Sequence, residues 1–416
     1  MCSITRKPSM SPDTASASAG PLRICVVTET YPPEVNGVAR TVERFVRGLA
    51  GLGHEVHLIR PRQSDLDDGE DGAGLSTTLC KGIAIPRYPD LRLGIPALGT
   101  IGSAWRRKPP DVVHVVTEGP LGAAALIAAR RRRIPVSTDF RTNFHLYAAH
   151  YGLGWIGRPV AAYLRAFHNS AALTLVPTDQ MRRSVEAIGI RNAQVVARGI
   201  DTALFHPSRR SRSLRDEWGA GESSPVLLSV GRLAAEKNLE LTVAAYRRAL
   251  AADPSARLVF VGSGPIEAQL RAQCPDAVFA GMRHGADLAR HYASADLFVF
   301  PSLTETFGNV VIEAMASGLA VLAYDEAAAR ELIVPGRNGL TVPRDDAKAF
   351  ADAAFELGTS MSRLRRLGEA ARETALRHSW PDVVRRFELR LRALATAATP
   401  LAHEGAAGAQ PNRPVM

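Results

Sequence analysis

Short runs of apolar residues alternate with helical patterns along most of this chain, and this alternation restricts its fold more than any other feature. Leu22–Val27, Val112–Val116 and Leu173–Pro177 are such runs in the first half, and Pro225–Gly231 and Ala295–Phe300 are such runs in the second half. Continuous apolar runs that alternate with helices are typical of parallel strands buried on both faces. The sequence therefore predicts an α/β fold built on parallel sheets.

Predicted helices lie between these strands. Gly37–Leu52 and Asp382–Ala397 have helical patterns, and an Ala-rich helix is predicted to end at Arg133. The acidic, glycine-rich segment Asp65–Gly74 predicts a loop. Trp380-Pro381 predicts a break before the terminal helix, because proline lacks the backbone N–H that a helix interior needs.

The length of 416 residues predicts two domains, because a single hydrophobic core stops growing well below that size. Gly199–Pro207 and the Arg- and Ser-rich segment after it predict the connection between them. Residues 1–20 are rich in Ser, Ala, Pro and Thr, which is typical of disorder. The predicted divisions are a disordered extension over 1–20, a first domain over 21–205, a second domain over 206–380, a helix over 381–398 and a disordered tail over 399–416.

The chain carries a formal net charge of +10, and basic residues cluster at Arg106–Lys108 and Arg130–Arg133. Such clusters attract anionic phospholipid head groups, each basic residue contributing about 1 kcal/mol near the surface. They also fit solvated helix ends, where the helix dipole favours arginine. Nucleic acid is not a predicted partner, because aromatic residues make up only 6% of the chain and no nucleic-acid-binding motif occurs.

The cysteines and the hydropathy pattern indicate a compartment. Cys2, Cys25, Cys80 and Cys274 have no metal-binding spacing, which is typical of free thiols in a reducing environment. The first 20 residues lack the apolar core of a signal peptide, and no run of about 18 apolar residues occurs. The sequence therefore predicts a cytoplasmic protein that is able to bind peripherally to the inner face of a membrane.

Two glutamates, Glu305 and Glu313, lie on either side of a Gly-Asn pair within Pro301–Gly318. A helix that begins near Gly308, after a buried strand, would direct its unpaired backbone N–H groups at an anion. Glu313 would then accept two hydrogen bonds from a diol such as ribose, and Glu305 would face the group attached beyond the phosphates. The alternative interpretation is an ordinary strand–helix unit with two solvated glutamates.

The Pro301–Gly318 segment resembles the E-x7-E signature of retaining glycosyltransferases of family 4, and the resemblance extends over about residues 22–395. It implies the GT-B fold, in which two Rossmann-like domains with parallel sheets face a central cleft. The second domain would hold a nucleoside-diphosphate sugar and the first domain an acceptor. The resemblance also implies that the helix over 381–398 crosses back to the first domain.

A second segment of the same kind is Gly231–Asn238. Gly231 permits a tight turn, and the guanidinium of Arg232 and the ammonium of Lys237 can neutralise a diphosphate without a metal. The alternative is that both are surface cations. The segment resembles the G-R-x-x-x-x-K-N segment of family 4, whose Arg and Lys hold the leaving diphosphate.

The segment Asp139–His145 departs from the family pattern. Many members carry a histidine, close to the transferring sugar, at the position of Arg141. An arginine stays protonated and cannot act as a base, but it can stabilise negative charge on the diphosphate. We expect Asp139 to hold Arg141 as an ion-pair partner, and His145 either to contact the acceptor or to serve a structural role.

The resemblance implies a complete set of site residues. The catalytic residues would be Glu305, Arg232, Lys237 and Arg141. The donor would be bound by Gly37, Gly231, Gly262, Gly264, Met282, Phe307, Gly308, Asn309, Val310 and Glu313. The acceptor would be bound by Asn36, His114, Glu118 and His145, with ordinary structural roles as the alternative for the histidines and Glu118. No metal ligand and no cofactor are predicted, because the chain contains no metal-binding motif.

These residues imply a retaining, metal-independent hexosyltransferase that moves mannose or glucose from a GDP- or UDP-sugar to a lipid or carbohydrate hydroxyl. Membrane glycolipid synthesis is the expected setting, with the basic first domain on an anionic membrane surface and GDP-mannose slightly favoured as donor. Two alternatives remain open from the residues alone. One is a nucleotide-sugar 2-epimerase of the same fold, and the other is a non-catalytic basic protein that binds polyanions.

Overall fold

The computed structural model describes residues 20–34, 36–64, 66–85, 88–141 and 157–398. Its two large sheets are parallel throughout and are joined by helices. The α/β fold expected from the alternation of strands and helices is therefore confirmed.

The first sheet is built from the N-terminal half of the chain. The strands in this half are β1 (Arg23–Val27), β2 (Glu55–Pro61), β3 (Leu75–Cys80), β4 (Gly82–Ile85), β5 (Tyr88–Gly94), β6 (Val112–Val115), β7 (Val136–Asp139), β8 (Leu173–Val176) and β9 (Ala193–Val195). Seven of them form a parallel sheet in the order β3-β2-β1-β6-β7-β8-β9, and β4 and β5 form a separate antiparallel hairpin.

The second sheet is built from the C-terminal half. Its strands are β10 (Val226–Val230), β11 (Arg257–Val261), β12 (Val278–Phe279), β13 (Leu297–Phe300), β14 (Ala320–Tyr324) and β15 (Leu340–Val342). They pair in parallel in the order β12-β11-β10-β13-β14-β15. The residues of β10, β13 and β14 are all buried, as expected for central strands that helices cover on both faces.

Helices connect the strands and cover both sheets. The helices of the first half are α1 (Gly37–Gly51), α2 (Leu98–Arg107), α3 (Pro120–Arg132), α4 (Gly157–His168) and α5 (Asp179–Ala187). The helices of the second half are α6 (Arg212–Glu217), α7 (Leu239–Ala252), α8 (Glu267–Gln273), α9 (Gly285–Ser294), α10 (Asn309–Ala316), α11 (Ala327–Leu332), α12 (Ala347–Gly358), α13 (Met361–Leu376) and α14 (Trp380–Ala398).

The strand order determines where a ligand can enter each sheet. The order reverses between β1 and β6 in the first sheet and between β10 and β13 in the second. Ligands of open parallel sheets bind in the crevice outside the carboxyl ends of the strands at such a reversal. The loops that follow these four strands carry Gly37, Glu118, Lys237 and Glu305, so most of the expected site residues lie at these two crevices.

The terminal helix corrects one prediction. The expected break is present at residues 377–379, but α14 begins at Trp380, two residues earlier than predicted, and includes Pro381 in its first turn. A proline is tolerated there, since the first backbone N–H groups of a helix have no partner within the helix. Val383, Phe387 and Leu391 of this helix are buried in the core beneath the first sheet, so α14 packs on the N-terminal half.

The two chain crossings between the halves lie side by side. The backbone N–H of Ile200 donates a hydrogen bond to the carbonyl of His378, at 2.9 Å. Gly199 lies against Trp380, and a Cβ at this position would come within 2.7 Å of the indole ring. The close approach of the two crossings therefore requires a residue without a side chain at 199.

Candidate active site

The N-terminus of α10 is shaped by the residues immediately before it. Gly308 has a φ of +84°, in the left-handed region that glycine adopts at least cost, and the helix begins at Asn309. Phe307 is buried in the core, and its carbonyl accepts a hydrogen bond of 2.8 Å from the N–H of Ala328. This anchored turn directs the free N–H groups of the first helical turn toward the crevice at β10 and β13.

Lys237 and Glu305 form an ion pair beside this helix N-terminus. The ammonium of Lys237 donates a hydrogen bond to Oε1 of Glu305, and Ser302 Oγ donates to the same oxygen at 3.0 Å. The backbone N–H of Leu303 donates to the carbonyl of Glu236 at 2.9 Å, which ties the two loops together. The structure thus brings together two of the four expected catalytic residues, whose charges neutralise each other.

Glu313 lies in the second turn of α10 and is held by a tyrosine. Tyr292 Oη donates a hydrogen bond to Oε2 of Glu313 at 3.0 Å, and no described residue donates to the other carboxylate oxygen. Burial raises the pKa of Glu313, although nearby Tyr292 and Arg40 oppose the shift. Glu313 therefore has one oxygen left to accept a hydrogen bond from a ligand.

Three of the expected donor-binding glycines have a structural requirement of their own. A Cβ on Gly262 would lie 1.9 Å from the carbonyl oxygen of Gly231, and a Cβ on Gly264 would lie 2.2 Å from that of Leu233. Gly231 and Gly262 also have positive φ angles, of +148° and +135°. These glycines allow the loops after β10 and β11 to pack against each other, whatever contact they make with a ligand.

Arg232 and Met282 are exposed at the rim of the site. The side chain of Arg232 is 62% exposed and pairs with Glu236 at 2.9 Å. It makes no ion pair with Glu305, which pairs with Lys237. Met282 is 55% exposed and follows β12. Their roles toward the diphosphate and the base stay predictions. Arg232 would have to leave Glu236 to reach a phosphate.

Asp139, Arg141 and His114 form a buried charged cluster under the first crevice. Arg141 Nε donates a hydrogen bond to Asp139 Oδ2, so the expected ion pair between these two residues is present. Burial alone would raise the pKa of Asp139, but Arg141 and His114 outweigh it and hold that pKa below its ordinary value. Both terminal nitrogens of Arg141 are buried and lack a hydrogen-bond partner among the described residues.

His114 lies on β6, as the sequence predicts, and is enclosed by neighbouring side chains. Its side chain is 1% exposed, its Nδ1 is 2.9 Å from Ser137 Oγ, and its ring packs against Phe387. These contacts, and the cover of its strand by α14 on this face, favour the structural role that the sequence leaves open for His114, and its contact with an acceptor stays a prediction.

Asn36 is also engaged differently from the expectation. Its Oδ1 accepts hydrogen bonds from the N–H groups of Val38 and Ala39, and its Nδ2 donates to Thr30 Oγ1 and Glu34 Oε2. These contacts make it the N-cap of α1 and leave its amide no free donor or acceptor for an acceptor molecule.

The two remaining residues expected to bind the acceptor are Glu118 and His145. Glu118 precedes α3, and its Oε1 lies 3.4 Å from His168 Nε2 without forming a hydrogen bond. Its carboxylate is therefore still able to contact an acceptor. His145 lies outside the described residues.

Arg198 lies beside Gly37 and Asn309, two of the expected site residues, although no motif in the sequence indicates it. Its residue is 6% exposed, and its Nη1 donates a hydrogen bond to Asn309 Oδ1 at 3.3 Å. The same nitrogen would be 2.8 Å from a Cβ on Gly37. Arg198 directly precedes the predicted connection Gly199–Pro207, but no local pattern in the sequence shows that a cation there is buried between the two halves.

Glu29, at the carboxyl end of β1, gives the first crevice a titratable group. Its Oε1 accepts a hydrogen bond of 2.9 Å from the N–H of Leu121 in the first turn of α3. Burial, reinforced by the nearby charge of Glu118, raises the pKa of Glu29 to about 7. Gly119 makes room for this carboxylate, since a Cβ there would lie 1.7 Å from Glu29 Oε2.

The raised pKa of Glu29 predicts a pH dependence of stability. A carboxyl group whose pKa is higher in the folded chain stabilises the fold below its unfolded pKa, and this stabilisation is lost as the pH rises through about 7. We expect the free energy of unfolding to fall by up to about 3 kcal/mol between pH 4.5 and pH 8 through this group alone. Urea unfolding of wild type and Glu29→Gln across that range measures it, and equal slopes for the two proteins would contradict the assignment.

Two family models match the chain. The model described as Glycosyltransferase Family 4 matches residues 35–204, and the model described as Glycosyl transferases group 1 matches residues 224–359. A GDP-mannose-dependent alpha-mannosyltransferase of Mycobacterium tuberculosis is 37% identical over 368 residues, which cover 87% of this chain and 94% of that protein. An alpha-monoglucosyldiacylglycerol synthase of Streptococcus pneumoniae is 27% identical over 321 residues, which cover 73% of this chain and 71% of that protein.

Solved structures resemble the fold as a whole. Sucrose-phosphate synthase from Thermosynechococcus elongatus superposes with a TM-score of 0.71 at 20% sequence identity, covering 90% of this chain and 100% of that one. The expected GT-B fold is therefore confirmed. Within the described ranges, no helix has both the length and the apolar character needed to cross a bilayer.

Proposed function

The chain belongs to glycosyltransferase family 4 and is a hexosyltransferase, and on this basis we propose that it transfers mannose from GDP-mannose to a hydroxyl group of a membrane glycolipid. The M. tuberculosis relative named for GDP-mannose is 37% identical, and the S. pneumoniae relative named for monoglucosyldiacylglycerol is 27% identical. The higher identity favours mannose as the donor sugar. Both names favour an α-linked product.

One observation carries the proposal at the level of the site. Lys237 and Glu305 meet beside the N-terminus of α10, at the carboxyl ends of β10 and β13. A cation, a carboxylate and a helix N-terminus are the groups that a sugar diphosphate needs, because the first and last of these attract phosphate and the carboxylate accepts hydrogen bonds from sugar hydroxyls.

The proposed mechanism starts when the diphosphate enters this site. Lys237 releases Glu305 and binds a phosphate oxygen, and Arg232 releases Glu236 and binds the diphosphate as well. Glu305 then becomes free to orient the sugar. As the bond between the anomeric carbon and the phosphate oxygen breaks, its electron pair moves to the diphosphate, where the cations and the N–H groups of α10 stabilise the charge. The acceptor hydroxyl attacks from the same face and gives its proton to a phosphate oxygen, so the configuration is retained.

We propose that these steps need no metal, and turnover that persists in EDTA is the corresponding test.

The two alternatives raised by the sequence are not supported. The named relatives over most of the chain are transferases, whereas an epimerase or a polyanion-binding protein would need no acceptor. Consumption of donor only when acceptor is present distinguishes a transferase from an epimerase.

The experiment that tests the function is a donor and acceptor panel. GDP-mannose, UDP-glucose and other GDP- and UDP-sugars are each incubated with diacylglycerol liposomes, with glycolipid liposomes and with free sugars. We expect GDP release and an α-mannosylated lipid with GDP-mannose. Turnover with UDP-sugars alone would overturn the donor assignment, and no transfer to any acceptor would overturn the function.

We further propose that the enzyme works in the cytoplasm at an anionic membrane surface that the first domain contacts. The adjoining ends of α2 and α3 carry a basic patch, defined as Arg106, Arg107, Arg130, Arg131 and Arg133, all exposed. None of these five arginines forms an ion pair with a described residue. The β4–β5 hairpin lies at the other edge of the sheet, beside the crevice, where Ile83 is 61% and Leu93 40% exposed, and it is not part of the basic patch.

The membrane proposal predicts a charge effect on vesicle binding. In a double variant, Arg130 and Arg131 are both replaced by glutamate. Its affinity for anionic phospholipid vesicles, measured by sedimentation, should fall on the order of tenfold or more, because each lost arginine removes about 1 kcal/mol of binding free energy. The matched control replaces Arg365 and Arg366, which are exposed on α13 of the second domain, and should bind as wild type does. Equal losses in both variants would argue for a nonspecific charge effect and against this surface.

A further inference from the structure

Arg198 links the two halves of the molecule across the cleft. It follows β9, so its backbone belongs to the N-terminal half, yet its guanidinium donates a hydrogen bond to Asn309, the first residue of α10. It also lies against Gly37 at the start of α1. Arg198 therefore lies between the helix N-termini that face each other from the two sheets.

The cations around Arg198 are not fully compensated within the described chain. Arg198 interacts electrostatically with Arg141, Asp139 and Glu305, and burial and Arg141 lower its pKa to about 10. Asp139 is already hydrogen-bonded to Arg141, and Glu305 is already paired with Lys237. Asp139, which also lies 3.7 Å from His114 Nε2, is thus the one described carboxylate near the two buried guanidinium groups that is not paired with Lys237.

The donors that remain unpaired belong to the same two arginines. Nε of Arg198 and both terminal nitrogens of Arg141 are buried without a hydrogen-bond partner among the described residues. The side chain of Arg141 is 1% exposed. A buried charged donor without a partner is costly, and an anionic ligand between the two arginines would satisfy these donors and neutralise the excess charge.

We propose that Arg198, supported by Arg141, is a catalytic group that binds the leaving diphosphate from the side of the N-terminal domain. This inference rests on the proposed function. We favour the diphosphate as the anion because Arg198 contacts Asn309, the first residue of α10. A phosphate bound at the N-terminus of α10 would lie within reach of the same guanidinium. Lys237 then holds the diphosphate from one domain and Arg198 from the other.

This arrangement assigns a step to Arg198. When the bond from the anomeric carbon to the phosphate oxygen breaks, the electron pair stays on that oxygen, and the guanidinium stabilises it by hydrogen bonds that strengthen with its charge. A nucleoside monophosphate lacks the outer phosphate and would miss this contact.

Calorimetric titrations of Arg198→Gln with GDP and GMP, and with UDP and UMP in parallel, test the proposal. We expect Kd for the diphosphate to rise about 10- to 100-fold, since hydrogen bonds to charged groups are the stronger ones, while Kd for the monophosphate changes less than about twofold. We also expect kcat to fall on the order of 100-fold or more. Arg198→Lys should restore part of the diphosphate affinity, and it serves as the test if the glutamine variant does not fold.

The matched control is Arg44→Gln, because Arg44 pairs with Asp201 at the same junction, 3.2 Å away, but is 49% exposed. It should bind both nucleotides as wild type does. Equal weakening of diphosphate and monophosphate in Arg198→Gln, or no change in either, would overturn the proposal while leaving the transferase function intact. Wild type that bound neither GDP nor UDP would instead overturn the proposed function and this inference with it.

Discussion

A Lys237→Ala variant is expected to lose hexosyl transfer by at least about 100- to 1,000-fold in kcat, with its fold intact. Among the residues that the structure describes, Lys237 is the one cation in direct contact with Glu305, and both lie beside the N-terminus of α10. Removing a preorganised charge from a developing anion costs about that factor in rate. Steady-state release of nucleoside diphosphate, with the preferred donor and acceptor, measures the effect.

The control for Lys237 is another lysine in an ion pair. Lys348 is 88% exposed and pairs with Asp352 at 2.8 Å on α12, so Lys348→Ala should leave turnover unchanged. A thermal melt checks the fold of Lys237→Ala, because the loss of a partly exposed pair costs only about 1 kcal/mol or less. Near-normal turnover in a folded Lys237→Ala variant would remove Lys237 from the diphosphate site.

The largest loss of stability is expected when Asp296, which directly precedes β13, is replaced. Its carboxylate accepts hydrogen bonds from Arg210 at 2.8 Å, from Arg215 at 2.9 Å and from the N–H of Val226 at 2.9 Å. Arg215 is buried, with a side chain 4% exposed. Asp296→Ala would leave a buried guanidinium without its carboxylate, and we expect the free energy of unfolding to fall by about 3–5 kcal/mol.

Urea unfolding followed by circular dichroism measures this change. The matched variant is Asp352→Ala, whose carboxylate pairs with Arg248 and Lys348 at the surface and should cost less than about 1 kcal/mol. A loss of similar size in both variants would show that the buried cluster is not a main source of stability in the second sheet.

The sequence predicted the elements whose patterns are local. β10 and β13 are continuous apolar runs followed by loops with glycine, so both the strands and the loops carrying Lys237 and Glu305 could be predicted. β3 has no such pattern, because the middle of Leu-Ser-Thr-Thr-Leu-Cys is polar and only its ends, Leu75 and Leu79-Cys80, are apolar. As an edge strand it pairs with β2 alone, so its middle residues need not be apolar.

The features of the site that the sequence does not indicate depend on contacts between distant segments. His114 lies on a strand that points toward the expected crevice, but its burial depends on Phe387, which is far away in the chain. Arg198 has no local signature, because its burial arises only where the end of the first sheet meets α10 of the second. Asn36 directly precedes α1, where an asparagine suits both a ligand contact and an N-cap, so the sequence does not distinguish the two roles.

A crystal structure with GDP bound, or with UDP if the panel selects it, tests the central claim most directly. We predict that the outer phosphate lies within about 4 Å of Lys237 Nζ and of the N–H groups at the start of α10, and that Lys237 no longer pairs with Glu305. A nucleotide bound elsewhere, or a Lys237–Glu305 pair that persists with the diphosphate in the cleft, would contradict the account.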